Sequence, residues 1–288
     1  MTPRRHIPTV RLRRLAAELR RLRAAASLSR EETGERTGIN NATLYRIETA
    51  RARPQMRTLN TLLSLYEVDQ EQRDYLTNLC RDASKQGWLQ PYHSGLSDAY
   101  AAYISFENEA QGVRDYESLF VPGLLQTEDY ARSVIRGVLP AATDEEVEDR
   151  VRARMGRQNV LSKSGPLKLW AVLDEAALRR TVGSAQIMRA QLDHLVKAAK
   201  APNVTFQVIR FSAGAHTGMP GQFIMLDFKD PMDTDLIYID SMAGDLFLES
   251  DAEISSFRSV FENLVAIALS PKDSASLVVD IAHQMKGT

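Results

Sequence analysis

Two glycines four residues apart, Gly34 and Gly38, place the strongest constraint on how the N-terminal part of this chain can fold. Helix-start signals lie on both sides of them: Ser29 is followed by Glu32 at the spacing of a capping box, and Asn40 is suited to cap a second helix. A glycine lets two backbones approach closely, and at a bend it adopts the left-handed conformation at no steric cost. The spacing therefore predicts two short helices that cross at a tight turn.

The second of these helices has one apolar face and one polar face. Ile39, Leu44 and Ile47 recur at the spacing of a buried helix face. The remaining positions are predicted to face outward, and they are Asn41, Ala42, Thr43, Tyr45 and Arg46. Asparagine pairs well with adenine, arginine with guanine, and the methyl groups of alanine and threonine with the thymine methyl. This pattern is typical of a helix-turn-helix whose second helix reads base pairs in the major groove of DNA.

The charge of the chain is unevenly distributed along the sequence. Residues 1–57 contain 14 arginines and five acidic residues, whereas the rest of the chain contains 22 basic and 32 acidic residues. A basic segment attached to an acidic body indicates a polyanionic partner for the first segment only, with an ordinary solvated surface as the alternative interpretation. Arginine is suited to bidentate contacts with phosphates and guanine edges, which favours DNA as that partner.

The periodicity of apolar residues predicts an all-α N-terminal domain followed by an α+β domain. The first domain is predicted to have five helices, the first over 12–26, the fourth from about Thr58 and the fifth capped by Asp69. Glycine and proline at 87 and 91 predict a linker over 85–96 between domains 1–84 and 97–288. The second domain is predicted to begin with a helix over 97–113 and to contain one mostly antiparallel or mixed sheet. Its expected strands cover 167–173, 204–209, 223–228, 236–240 and 246–248.

Composition argues against several classes of protein. Cys80 is the only cysteine, so no internal disulfide can form, and a reducing cytoplasm is the expected location. The sequence has no signal-peptide pattern and no apolar run long enough to span a bilayer. The histidines lack metal-ligand spacing and no phosphate-binding or dinucleotide-binding glycine motif is present, so no metal and no cofactor are expected. Cys80 is interpreted as a buried packing residue, with a redox sensor as the alternative.

Residues 12–57 resemble the Xre-type helix-turn-helix of phage repressors, which has five helices. The resemblance rests on Gly38, Leu44, the pair Ile47-Glu48, the basic loop over 50–53 and Pro54. It implies an ion pair between Arg23 and Glu48. It also implies base contacts by Asn41, Ala42 and Arg46 and phosphate contacts by Arg30, Asn40, Arg51 and Arg53. Ala50 departs from the family pattern, because a glycine in the left-handed conformation is common there.

The second domain resembles the body of a large actinomycete regulator family, the antitoxin-like or WhiJ-type regulators, whose C-terminal domain has no known function. The matching stretches are 116–117, 121–131, 173–178, 191–192, 211–216 and 268–271. The resemblance implies a transcription regulator that binds and responds to a small protein from a neighbouring gene. We expect the N-terminal domain to bind a pseudo-palindromic operator in double-stranded DNA as half of a homodimer. The second domain would then supply dimer contacts and receive the signal.

A small-molecule effector is the main alternative to a protein signal. Trp88, Tyr92, Trp170 and Phe211 could line a ligand pocket, although aromatic side chains are more often core residues. The loop from Phe211 to Gly221, which includes His216, could instead contact a protein partner, since loops on a rigid scaffold often do.

A DNA-tethered enzyme is the third interpretation of the second domain. Asp174 and Glu175 are predicted at a strand-to-helix junction, and carboxylates together with His216 can perform acid–base chemistry. However, Asp174 is also a suitable helix cap, and Glu175 stabilises a first helical turn. We therefore predict that the protein is not an enzyme and has no catalytic residue.

Overall fold

The computed structural model describes residues 9–82, 96–229 and 235–285. Within these ranges the chain forms two compact units, one comprising 9–82 and 97–106, and the other comprising 96, 107–229 and 235–285. The division expected from the sequence assigns 97–106 to the second domain, whereas contacts group these residues with the first unit. Among the described helices we find none with the length and apolar character needed to span a bilayer.

The described part of the first unit begins with five helices: α1 (Val10–Ala25), α2 (Arg30–Thr37), α3 (Asn41–Glu48), α4 (Met56–Leu65) and α5 (Gln70–Asp82). The apolar faces of α1, α3, α4 and α5 meet in one core, whose most deeply buried members are Leu15, Leu19, Leu44, Leu59, Leu62, Leu63, Leu76 and Cys80. These side chains recur every three or four residues, so each of the four helices contributes one stripe, whereas α2 buries only Thr33. The predicted all-α N-terminal domain is confirmed.

The helix ends of this unit follow local signals in the sequence. Ser29 Oγ accepts a hydrogen bond from the Glu32 N–H (3.1 Å), and Glu32 Oε2 accepts one from the Ser29 N–H (2.7 Å), which completes the capping box of α2. Past the ends of α1 and α4 the chain adopts the left-handed conformation at Ser27 (φ +55°) and Glu67 (φ +54°). This conformation costs a non-glycine residue roughly 1–2 kcal/mol.

Helix α6 (Asp98–Glu109) has residues in both units and leads into the α+β part of the chain. The remaining elements are β1 (Gly112–Glu117), α7 (Glu128–Val138), α8 (Asp144–Arg157), β2 (Lys168–Asp174), α9 (Glu175–Arg179), α10 (Ala185–Ala198), β3 (Val204–Ile209), β4 (Phe223–Asp227), β5 (Leu236–Ile239), β6 (Leu246–Leu248), α11 (Asp251–Ile267) and α12 (Pro271–Gln284). Short 3-10 turns cover Gly123–Leu125, Gln158–Leu161 and Phe211–Ala213.

The strands of the second unit form one mixed sheet, which in the described residues has six strands in the order β3-β2-β1-β4-β5-β6. Strands β1, β2 and β3 are parallel, while β4, β5 and β6 continue the sheet on the other side of β1 in antiparallel pairs. The parallel pairs need long crossovers, and these contain α7 to α10. The predicted α+β domain with a mixed sheet is confirmed.

The prediction of a helix over 97–113 is wrong at the C-terminal end of that helix. Helix α6 ends at Glu109, and Gly112 begins the strand at the centre of the sheet. Three of the six residues of β1 are charged, namely Arg114, Asp115 and Glu117. The strand therefore lacks the alternation of apolar and polar residues by which a strand is recognised in a sequence. Backbone pairing of β1 with β2 and β4 outweighs the weak preference of these residues for a strand.

One face of the sheet packs against α11. Tyr116 of β1, Met225 of β4 and Ile237 of β5 are buried in the same cluster as Phe261 and Leu264 of α11. Because side chains alternate along a strand, Asp115 and Glu117 leave β1 on the opposite face.

Candidate nucleic-acid interface

Helix α3 presents a continuous polar surface to solvent. Leu44 and Ile47 are buried in the core of the unit, as their spacing predicts. The exposed positions of the helix are Asn41, Ala42, Thr43, Tyr45 and Arg46. All five outward-facing residues predicted from the sequence therefore lie on one accessible surface.

The turn between α2 and α3 depends on two glycines. A Cβ atom at Gly34 would lie 2.9 Å from the carbonyl oxygen of Ile39, closer than side chains tolerate. Gly38 has φ +71°, and its N–H donates to the Gly34 carbonyl oxygen (2.8 Å), which ends α2. Asn40 Oδ1 then accepts a hydrogen bond from the Ala42 N–H (2.8 Å) and caps α3. A phosphate contact by Asn40 would therefore come from its amide N–H groups.

A buried carboxylate connects α3 with both preceding helices. Glu48 is 2% exposed, and its Oε1 accepts from Arg23 Nε (2.6 Å) while its Oε2 accepts from Arg23 Nη2 (3.1 Å). Glu48 Oε2 also accepts from Arg30 Nε (2.8 Å). These bonds raise the pKa of Arg23, and they hold Arg30 at the junction of α2 and α3. No pattern in the sequence indicates that Arg30 shares this carboxylate.

Tyr45 lies between two of the arginines predicted to contact phosphates. The Arg30 guanidinium carbon lies 5.3 Å from the centre of the Tyr45 ring, and that of Arg51 lies 5.4 Å from it. Both distances fall within the range of cation–π interactions. The left-handed conformation of Ala50 (φ +54°) turns the chain so that the Arg51 N–H donates to the Arg46 carbonyl oxygen (2.7 Å). We call the set Arg30, Tyr45 and Arg51 the arginine–tyrosine stack.

Two other predicted contacts have protein partners in the described structure. Asn41 Nδ2 donates to Glu31 Oε1 (2.7 Å), so a base would have to displace this bond before Asn41 could read it. The same bond contributes to the lowered pKa of Glu31, after that residue's own backbone hydrogen bond. Arg53 is exposed, and its Nη1 makes a long hydrogen bond to the Cys80 carbonyl oxygen (3.4 Å). Sequence reasoning missed Glu31, because no local pattern relates it to a residue ten positions later.

Cys80 belongs to the core beneath this surface. Its side chain is fully buried, and Sγ lies 3.5 Å from the Pro54 carbonyl oxygen. Burial raises the pKa of the thiol, which disfavours the reactive thiolate. These contacts fit the packing interpretation of Cys80 better than the redox-sensor interpretation.

Comparison with known families gives two separate matches along the chain. Residues 14–76 match a model described as a helix-turn-helix domain. Residues 100–280 match the model of a domain of unknown function, DUF5753. The chain belongs to the DUF5753 family. No curated protein and no solved structure matches the chain significantly.

Three of the residues predicted to bind a ligand or partner lie in the DUF5753 domain: Trp170, Phe211 and His216. The other two, Trp88 and Tyr92, lie outside the described residues. Trp170 on β2 donates from Nε1 to Gln207 Oε1 (2.9 Å), and its ring packs edge-on against Phe261 (5.8 Å between centroids). Phe211 follows β3 and is 58% exposed. Trp170 therefore has packing partners in the sheet layer, whereas most of the surface of Phe211 is accessible.

The loop from Phe211 to Gly221 is held to the sheet at three points. The Phe211 N–H donates to Glu175 Oε2 (3.0 Å), and His216 Nε2 lies 3.4 Å from Asp174 Oδ2. The third point is Gly218, where a Cβ atom would lie 2.4 Å from a ring carbon of Tyr116. Only glycine allows this close an approach.

Asp174 and Glu175 of the DUF5753 domain have structural partners. Asp174 Oδ1 accepts from the Ala176 N–H (2.8 Å) and caps α9, and Glu175 Oε1 accepts from Arg179 Nε (2.6 Å). Among the described residues, no group of three or more histidine, cysteine, aspartate or glutamate side chains is arranged to hold a metal ion. The contacts of these two carboxylates explain their positions at the strand-to-helix junction.

Proposed function

We propose that this protein is a sequence-specific transcription regulator that binds double-stranded DNA as a homodimer through α3. The observation that carries the proposal is the outer surface of α3, where exposed polar side chains lie beside the arginine–tyrosine stack. The N-terminal end of a recognition helix reads bases, and its flanks contact phosphates. Since the surface has this arrangement, an ordinary solvated basic face is the weaker explanation of its charge.

Each side chain has a role in the proposed complex. Arg46 is exposed on α3 and would donate to guanine, while Asn41 would exchange its bond to Glu31 for one to adenine. Ala42 and Thr43 would contact thymine methyl groups. Phosphates would be bound by Arg30, Asn40, Arg51 and Arg53, which fix the register of the helix in the groove.

We further propose that the DUF5753 domain, expected over 97–288 after a linker at 85–96, supplies dimer contacts and receives a signal. In line with the resemblance to WhiJ-type antitoxin-like regulators, that signal would be a small protein from a neighbouring gene. The anchored loop with Phe211 (58% exposed) and Met219 (67% exposed) is a suitable surface for it, because its backbone is fixed before binding. We expect the protein to act in the cytoplasm, without catalytic activity.

The base-reading role of Arg46 gives a direct test. Footprinting on the promoter region of the protein's own gene would locate the operator, and binding would then be measured on operator and unrelated duplexes. We expect Arg46→Ala to weaken operator binding by about 1–3 kcal/mol and to leave non-specific binding nearly unchanged. The exposed Arg81→Ala, on α5, serves as the control and should behave like the wild type.

Two outcomes would count against the proposal. Equal losses on both duplexes would make Arg46 a phosphate contact only, and a folded wild type that ignores every duplex at low salt would remove DNA binding altogether. For the signal, stable association with the neighbouring gene product is expected. A melting shift caused by metabolites but not by that protein would favour the small-molecule alternative.

A further inference from the structure

Two acidic side chains lie side by side on the sheet face opposite to α11. Asp115 and Glu117 are two positions apart on β1, so their Cα atoms are separated by roughly 6.6 Å and their side chains leave the strand on the same face. Asp115 is flanked by Ala171 of β2 and Ile224 of β4, and Glu117 lies across from Leu173. The side chains at these three paired positions are apolar.

Both carboxylates have a buried oxygen atom without a hydrogen-bond partner. Asp115 is 3% exposed, and its Oδ1 has no partner. Glu117 is half-buried, and its Oε2 is likewise buried and without a partner. More than nine in ten buried polar groups in native proteins are hydrogen-bonded, so two such oxygens next to each other indicate a site suited to a donor.

Two arginines that attract this pair also bind other described residues. Arg157 Nε and Nη2 donate to the two carboxylate oxygens of Glu107 at 2.8 and 2.6 Å, and this ion pair is buried. Arg154 Nη1 donates to Gln126 Oε1 (2.9 Å). Burial, and then repulsion by Glu107, raise the pKa of Asp115 to about 7 despite the attraction of Arg157.

Glu117 is affected by the same groups and by one more carboxylate. Its pKa is raised well above the usual value, first by burial and then by Asp115, while Arg154 and Arg157 oppose the change. Asp240 also repels it. Among the described groups, Glu107 and Asp240 thus oppose ionisation of the pair, and Arg154 and Arg157 favour it.

A third carboxylate lies at the same end of the sheet as Glu117. Strand β5 runs parallel to β1 because both are antiparallel to β4, so the residues that follow their carboxyl ends share one edge. Asp240 follows β5 and is exposed, Glu117 is half-buried and Asp115 is buried. Carboxylates thus extend from solvent to the interior at the carboxyl edge of the parallel strands, where open α/β sheets bind their ligands.

We propose that Asp115 and Glu117 form a binding site for a small organic cation with ammonium or guanidinium groups. Such a group donates several N–H bonds and would satisfy both buried oxygens while stabilising the ionised form of the carboxylates. An organic cation fits better than a metal ion, because the described residues contain no metal-binding group of three or more ligands. This site is independent of DNA binding.

Calorimetric titration of the full-length protein tests the proposal with two probes. Putrescine has two ammonium groups, and agmatine has one ammonium and one guanidinium group; the neutral analogue 1,4-butanediol is the control ligand. We expect at least one cation to bind saturably with one site per chain, and the diol not to bind. Binding should strengthen from pH 6 to pH 8 with release of protons, because the cation favours the ionised carboxylates.

Two isosteric variants make the site assignment falsifiable. Asp115→Asn and Glu117→Gln should each weaken cation binding at least about tenfold, whereas Glu145→Gln, at an exposed position of α8, should bind as the wild type does. Near-wild-type melting temperatures would show that the variants fold. The proposal is overturned if neither cation binds at millimolar concentration, if the diol binds equally well, or if both variants retain full affinity. Whether the protein binds DNA has no influence on any of these results.

Discussion

Tyr45 shows how one side chain can organise several others. It is 40% exposed on α3, and the guanidinium groups of Arg30 and Arg51 lie over its ring at 5.3 and 5.4 Å. Long arginine side chains lose rotamer freedom on binding, and stacking restricts them beforehand. In the proposed complex, Tyr45 would therefore reduce the entropic cost of the two phosphate contacts, in addition to any contact of its own with DNA.

This role predicts different results for two substitutions of Tyr45. Tyr45→Phe keeps a ring for both guanidinium groups and should bind DNA within about twofold of the wild type. Tyr45→Leu removes the ring and should weaken binding by about 1 kcal/mol, with a shallower salt dependence. Fluorescence anisotropy across a salt series would measure both quantities. Equal losses for both variants would instead assign the effect to the tyrosine hydroxyl.

Asp115 links the stability of the sheet to pH. Its pKa is about 7 in the folded protein and 3.8 in an unperturbed side chain, so the folded state holds more protons between these values. The contribution of Asp115 to the free energy of unfolding therefore falls as the pH rises from about 4 to 7. Above pH 7 the full destabilisation is present. In the absence of a cation, Asp115→Asn should raise the free energy of unfolding by about 1 kcal/mol or more at pH 8, with little effect below pH 4. Calorimetry at the two pH values would measure the difference, and an equal gain at both would contradict the explanation.

At the level of elements, the residue that follows the end of α1 has an unfavourable backbone conformation. Ser27 is exposed and has φ +55°, a conformation that glycine adopts without strain. We expect Ser27→Gly to stabilise the first unit by about 1 kcal/mol. Ala26→Gly is the matched control, because its φ of −75° offers glycine no advantage and the extra chain entropy should make it neutral or destabilising. Thermal denaturation would rank the variants, and a destabilised Ser27→Gly would refute the argument.

Elements with strong local signals could be predicted from the sequence, and those defined by pairing could not. The ends of α2 and the start of α3 are determined locally, by the side chains of Ser29 and Asn40 and the backbone of Gly38. The roles of these residues can therefore be predicted from the sequence. The sequence pattern does not predict strand β1, and the helix predicted over 97–113 overlaps its first two residues. Asp115 and Glu117 occupy positions where a buried strand normally has apolar residues.

The same distinction applies to the site residues. The exposed face of α3 follows from helical periodicity, so Asn41, Tyr45 and Arg46 could be identified in advance. Two hydrogen bonds, from Arg30 to Glu48 and from Asn41 to Glu31, join side chains that are brought together only by tertiary packing. No spacing in the sequence encodes these contacts.

At the scale of the whole molecule, charge and family matches distinguish the same two parts of the sequence. The arginine-rich first 57 residues include most of the helix-turn-helix match at 14–76, and the acidic remainder contains the DUF5753 match at 100–280. An acidic body disfavours non-specific attachment of the second domain to DNA, so we expect the direct DNA contacts to come from the first domain.

The neighbours of β1 determine when each part of the chain can fold during synthesis. β1 pairs with β2 on one side, but its other partner, β4, is more than 100 residues further along the chain. The ribosome must therefore deliver residues 223–227 before the central strand is complete, whereas the contacts among α1 to α5 are local and available much earlier. A nascent chain would thus have a finished α3 while its sheet is still open on one side.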